Sequence, residues 1–234
     1  MKAPLIIPAL LPLIDSIVHA QTVRRTTDLP TFMGRAVTVT EPIPDADGYY
    51  AKGSASICLE GPPQRQCYSA PDLYGHVAKV QLVEVQKGLS VLLFQAESVG
   101  TSGYGIHVAF LRPGHGKDLD NLLLSDITLS NQSQFSFWND ASVSPAKAFV
   151  TAEFDWGPDE GHYGDHRYII SAYVLKPTTL AGGPSYYLYY QYMTVHKYDL
   201  EKSDVLVAEK PEIIARLRRV KAAANPNQRV PRPK

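Results

Sequence analysis

The sequence has no net charge, only two cysteines, and no stretch that reads as a membrane-spanning helix. Lys and Arg together number 23, as do Asp and Glu. A neutral chain exerts no global electrostatic pull on nucleic acid or anionic lipid, so nucleic-acid binding is not expected. The apolar run at residues 3–14, APLIIPALLPLI, falls short of the ~20 residues that a spanning helix needs. Pro4, Pro8 and Pro12 would also break such a helix. No complete catalytic pattern is present. In the stretch Gly100 to Gly105 the glycines fall at the wrong places for a nucleophile elbow, and no α/β alternation surrounds it.

That short run has a different use. Lys2 supplies a charged start, and Val18 and Ala20 precede a small-residue cleavage position ahead of Gln21. This is the order of a secretory signal, so residues 1–20 are read as a signal peptide. The mature chain, about 214 residues, is then expected to be exported, to the periplasm or beyond the cell. No Cys follows the cut, so nothing points to a lipid anchor.

Export gives Cys58 and Cys67 a meaning. Eight residues separate them, including the turn formers Gly61, Pro62 and Pro63. An oxidising compartment permits a disulfide closing this hairpin-like loop. The spacing matches no zinc pattern, and two thiols are too few ligands for a structural zinc.

Residues 21–34 lack periodicity and read as a flexible tether. Residues 35–224 read as one β domain with a C-terminal helix, and 225–234 as a disordered basic tail. Strand signals recur at 35–40, 53–59, 66–69, 79–85, 89–97, 104–111, 148–155, 168–175 and 185–198, many with alternating apolar positions. The 14 Tyr suit pleated surfaces and also binding faces. Two segments echo each other in order. Gln95-Ala96-Glu97 resembles Thr151-Ala152-Glu153, and Ala109-Phe110-Leu111 resembles Ala172-Tyr173-Val174. Asp126–Leu129 then resembles Tyr192–Val195.

Pro211 suits a first helical turn, and Ile213, Ile214, Leu217 and Val220 fall on one helical face. Glu209 to Lys234 holds eight basic and two acidic side chains. The fold expected is all-β: an antiparallel β-sandwich with a C-terminal amphipathic helix. A small or partial β-propeller is the alternative.

One loop concentrates chemistry. Glu153 to His166 carries five carboxylates and no Lys or Arg. Such a cluster repels itself unless a cation neutralises it. Asp155, Asp159, Glu160, His162, Asp165 and His166 are therefore candidate ligands for a divalent metal, with Ca, Mn or Zn the ions that suit them. The same loop also reads as a solvated hairpin tip capped by Trp156 and Tyr163, or as a metal-free ligand site. Trp138, Trp156 and Tyr163 are candidate ligand-binding aromatics. Around Trp138, the residues Gln132, Gln134, Asn139 and Asp140 form a polar and aromatic mixture of the kind that binds carbohydrate. His107 and His115 are the histidines whose convergence on the acidic loop would favour an enzyme.

The segments ICLEGPPQRQCY at 57–68, SNQSQFSFWND at 130–140, WGPDEGHYGDHRYIISAYV at 156–174 and YMTVHKYDL at 192–200 resemble a group of exported bacterial proteins of unknown function. That resemblance implies export and brings no activity or site residue. The expected function is a non-catalytic binding module of the envelope or extracellular space, its ligand a carbohydrate or envelope polymer. The alternative is an envelope hydrolase using a metal held by the 155–166 loop.

Overall fold

The computed structural model describes residues 23–26, 29, 31–43, 53–98, 104–140, 143–157, 160–161, 164–176, 183–199 and 203–224. The signal at 1–20 and the tail at 225–234 lie outside them. The described residues form three antiparallel sheets and one helix. The first sheet runs in order through β1 (Val23–Thr26), β2 (Val37–Pro42), β3 (Ser56–Leu59) and β4 (Gln66–Ser69). The second contains β5 (Tyr74–Gln86), β6 (Leu89–Ser98), β7 (Gly105–Pro113) and β8 (Leu119–Asn121), with β9 (Ile127–Ser130) also paired to β7. The third contains β10 (Gln134–Trp138), β11 (Ala148–Asp155), β12 (Arg167–Lys176) and β13 (Ser185–Met193). Helix α1 spans Val205–Ala224.

The layers follow from side-chain alternation. On β6, Leu92, Phe94 and Ala96 pack with Val37, Val39, Ile57 and Leu59 of the first sheet. Val91 and Leu93 point the other way, into a cluster with Phe149, Tyr186 and half-buried Phe135 and Phe137 of the third sheet. The second sheet is thus covered on both faces, which is why its central strands read as near-continuous apolar runs. The other face of the third sheet packs Val150, Ala152, Ile170 and Ala172 against Val205, Leu206, Ile213 and Leu217 of the helix. The result is a sandwich-like stack of three sheets capped by α1. At its centre Phe110 meets Phe149 edge to face, with ring centroids 4.8 Å apart.

The Lys87-Gly88 turn joins β5 to β6, and Gly88 uses the left-handed conformation (φ 77°) that glycine reaches without penalty. Cys58 and Cys67 are directly opposed on β3 and β4 and form the disulfide, with Cα atoms 4.1 Å apart. Among the described residues no helix is long and apolar enough to cross a membrane.

Three local expectations need correction. Val23–Thr26, expected to lie in a flexible tether, pairs antiparallel with β2 along Thr26–Val39 to Val23–Pro42. Four residues are too few to show a period, and the partner strand supplies the order. Pro211 does not open the helix but lies inside it. The helix starts six residues earlier because Asp204 caps it: its carboxylate accepts the Val207 N–H at 3.0 Å. Gln134–Trp138, read only as a polar and aromatic stretch, is a strand.

The internal echo has a structural counterpart. In the second sheet the pairs are Phe94–Ala109, Gln95–Val108, Ala96–His107 and Glu97–Ile106. In the third they are Val150–Ala172, Thr151–Ser171, Ala152–Ile170 and Glu153–Ile169. The two hairpins therefore share their register residue for residue. The third strand of the echo slips: Thr128 pairs with His107, whereas Tyr192, not Thr194, pairs with Ile170.

Candidate functional site

The acidic loop joins β11 to β12, and its described part is built around Glu160. Gly157 donates its N–H to the Glu160 carboxylate at 3.1 Å. His166 Nδ1 lies 3.0 Å from the same oxygen. Lys197, which follows β13, pairs with the other oxygen at 2.5 Å. Hydrogen bonds from Lys197, then His166, then the Gly157 backbone hold the Glu160 carboxyl well below its ordinary value, down to about 2. The cation paired with Glu160 is thus Lys197, more than thirty positions away in the chain. Local sequence gives no sign of it.

His166 is only 2 % exposed. Its backbone exchanges hydrogen bonds with Tyr198 at 3.1 and 2.8 Å. Phe154 and Trp156 pack against its ring, both tilted by 50°, with centroids at 5.2 and 5.5 Å. Its Nε2 has no hydrogen-bond partner. Of the six expected metal ligands, the structure brings Glu160 and His166 together. Asp155 lies opposite Arg167 in the β11–β12 register, and Asp165 is exposed. Asp159, His162 and Tyr163 lie outside the described residues. Among the described residues no three His, Cys, Asp or Glu side chains gather as a metal site. Glu153 turns to Ser130, accepting its N–H at 3.0 Å, and to the Ser133 hydroxyl.

His107 and His115 are not drawn to this loop. His107 is fully buried and hydrogen-bonded to the Tyr68 hydroxyl at 2.8 Å, with Tyr74 against its ring at 5.7 Å. Burial lowers its pKa, partly opposed by Asp126. Burial, with Asp126 adding to it, pushes Tyr68 up to about 12. His115 lines a separate pocket.

Trp138 occupies a different position from Trp156. It ends β10, the edge strand of the third sheet, and faces a groove of about 630 Å³ between that strand and the start of α1. Ser133, Ser136, Ser203, Asp204 and Lys210 line the groove with it. Lys210 holds its ammonium 5.6 Å from the centre of the indole. Gln134 fixes the two walls together: its side chain accepts the Leu206 N–H at 3.3 Å and donates to the Ser203 carbonyl at 3.4 Å. A smaller recess of about 150 Å³ continues past Trp138 to Asn139, Asp140 and Leu217. Arg218 pairs with Asp140 at 3.3 Å and braces that end.

Much of the tyrosine richness serves the helix. Tyr192 and Tyr198 donate to the two oxygens of buried Glu209 at 2.7 and 2.6 Å, and Tyr190 donates to the Ile213 carbonyl at 2.9 Å. Arg216 lies over the Tyr192 ring at 4.1 Å. Sequence reasoning missed this use of the rings. Glu209 lies ahead of the helix start expected at Pro211, so the sequence pattern did not mark it.

No family model, curated protein or solved structure matches this chain.

Proposed function

We propose that this protein is an exported, non-catalytic binding module whose working face is the groove beside Trp138. The ligand class is carbohydrate, free or as an envelope polymer. The groove carries this reading. Its volume, about 630 Å³, lies within the ~300–1,000 Å³ range of small-ligand sites. It sets the rings of Trp138 and Phe135 among hydroxyl, carboxylate and ammonium groups. A pyranose offers the same combination, with an apolar face for a ring and hydroxyls for polar partners. A disulfide between β3 and β4 and the lack of a membrane-spanning helix among the described residues are compatible with export.

The test uses purified cell-wall sacculi and soluble β-glucan oligosaccharides, with co-sedimentation and tryptophan fluorescence as readouts. Wild type is expected to bind one of them. Trp138→Ala should weaken binding at least tenfold, while Trp156→Ala leaves it unchanged. Loss in neither variant, or no binding by wild type, overturns the groove reading.

A second reading, a metal-dependent envelope hydrolase, draws on the buried Glu160–His166 pair and the unpartnered His166 Nε2. Melting in chelator against melting in millimolar Ca²⁺, Mn²⁺ or Zn²⁺ decides it. Coincident curves exclude the metal.

A further inference from the structure

We propose that a second pocket, between the Phe32–Arg35 turn and the facing ends of β6 and β7, binds a small amphipathic ligand. That ligand carries one oxyanion head, carboxylate or phosphate, on an apolar body. The pocket has a volume of about 480 Å³, with walls of Phe32, Met33, Leu89 and Pro113. Arg112 and His115 supply its nitrogen donors, and Asp120 its one carboxylate. This site is separate from the Trp138 groove and does not rest on it.

Arg112 is the deciding residue. Its Nε is buried and has no hydrogen-bond partner. Among the described residues its guanidinium has no ion pair. Asp120 sits opposite it in the β7–β8 register, but that carboxylate is packed against Gly114. Gly183 lies so close to Arg112 Nη2 that a Cβ there would collide with it. A half-buried guanidinium without an ion pair, lining a pocket whose other walls are largely apolar, is matched by an oxyanion attached to an apolar group.

The walls are built rather than incidental. Phe32 and Arg35 exchange backbone hydrogen bonds at 2.9 and 3.0 Å across Met33 and Gly34. Both central residues have positive φ, 52° and 73°. This is a type I′ turn, with methionine in a left-handed conformation that non-glycine residues rarely adopt. The hydrogen-bonded turn holds Met33 out at the pocket lip, 72 % exposed. Arg35 then donates to Gln66 Oε1 at 2.7 Å. Gln66 donates in turn to the Gly114 and Gly116 carbonyls at 2.8 and 3.0 Å. Cys67 donates its N–H to the Lys117 carbonyl at 2.9 Å. The disulfide hairpin thereby fixes both the turn that carries Met33 and the loop that carries His115.

The experiment titrates the full mature chain with octanoate, octyl phosphate, octyl glucoside and acetate by calorimetry. In parallel, ¹⁵N NMR follows the Arg112 side-chain Nε–H. Octanoate or octyl phosphate should saturate one site and shift that resonance, and the tighter of the two identifies the head. Acetate and octyl glucoside should bind at least tenfold more weakly. Arg112→Gln should weaken the anionic probe at least tenfold with its melting curve retained. Should that variant not fold, Met33→Asn replaces it. Asparagine accepts positive φ, keeps the turn, and removes the apolar lip. Its expected loss is three- to tenfold. Equal affinity for octyl glucoside or acetate, undiminished binding in a folded variant, or no saturable binding of either anionic probe overturns the proposal.

Discussion

Replacing Glu209 by Gln tests how the helix is held, and with it the integrity of the Trp138 groove, one wall of which is the start of α1. The carboxylate is buried, 9 % exposed, and accepts two phenol hydroxyls at 2.7 and 2.6 Å. A hydrogen bond to a charged acceptor contributes about 1.5–3 kcal/mol, and one between neutral groups about 0.5–1.5. Gln keeps the shape and at best one neutral acceptor for both hydroxyls. Two bonds losing about 1–1.5 kcal/mol each give a ceiling near 2–3 kcal/mol. Tyr192 and Tyr198 are half-buried, so water recovers part of it. The expected loss is then about 1–2 kcal/mol.

Urea unfolding followed by far-UV circular dichroism reads this directly. With a slope of about 2–3 kcal/mol per molar, the midpoint should fall by roughly 0.3–1 M. A cycle with Tyr192→Phe and Tyr198→Phe separates the pairs. Coupling of Glu209 to each tyrosine should exceed about 0.5 kcal/mol. If Glu209→Gln leaves the midpoint unchanged, or the cycle shows no coupling, the reasoning fails. The helix would then be held by its apolar face of Val205, Leu206, Ile213 and Leu217 and by its other polar contacts, without Glu209.

Three further outcomes are expected. Pro211→Ala should stabilise by about 1–3 kcal/mol in the same urea assay, because an exposed interior proline forfeits a helical hydrogen bond. Reduction of Cys58–Cys67, with the thiols then alkylated, should cost about 2–3 kcal/mol; before reduction, alkylation and mass spectrometry should find no free thiol. Glu160 titrates in the folded state near 2 against an ordinary 4.5, so its contribution is present above pH 4.5 and is lost as pH falls toward 2. Lys197→Met should move the midpoint of the Glu160 carboxyl titration, followed by NMR, to higher pH, and an unmoved midpoint would contradict the assigned cause.

The sheets were legible because their strands carry their own signals. The Leu89–Glu97 and 148–155 strands appear close to their expected bounds, and the Lys79–Val85 strand pairs as expected but starts earlier, at Tyr74. β1 and β10 were not, because each is a short edge strand ordered by its neighbour. The acidic loop stood out in the sequence for its carboxylates, and the structure pairs one of them, Glu160, with a lysine. That partner was hidden, since Lys197 arrives only after β13 returns along β12. Trp138 was legible as an aromatic among polar groups. The opposite wall of its groove comes from residues 203–210, and only the docking of α1 places them there. Arg112 carried no sequence signal at all. Its lack of a partner emerges from the packing of Gly114 against Asp120.

The choice between sandwich and propeller turns on which faces of the echoed hairpins meet. In a propeller every blade keeps the same face forward around the ring, so equivalent residues of two neighbours lie in successive interfaces. Here equivalent positions share one interface. Leu93 corresponds to Phe149, and Phe110 to Tyr173, in the common register. All four pack in the cluster between the second and third sheets. The outward positions diverge instead: Phe94 and Ala109 meet the first sheet, whereas their counterparts Val150 and Ala172 meet the helix. Two similar hairpins packed face to face make a sandwich, and each then needs a cover for its other side. The first sheet provides one cover and α1 the other. The covers have no common form, and both candidate pockets lie along them: the Arg112 pocket beside the first sheet, the Trp138 groove beside the helix.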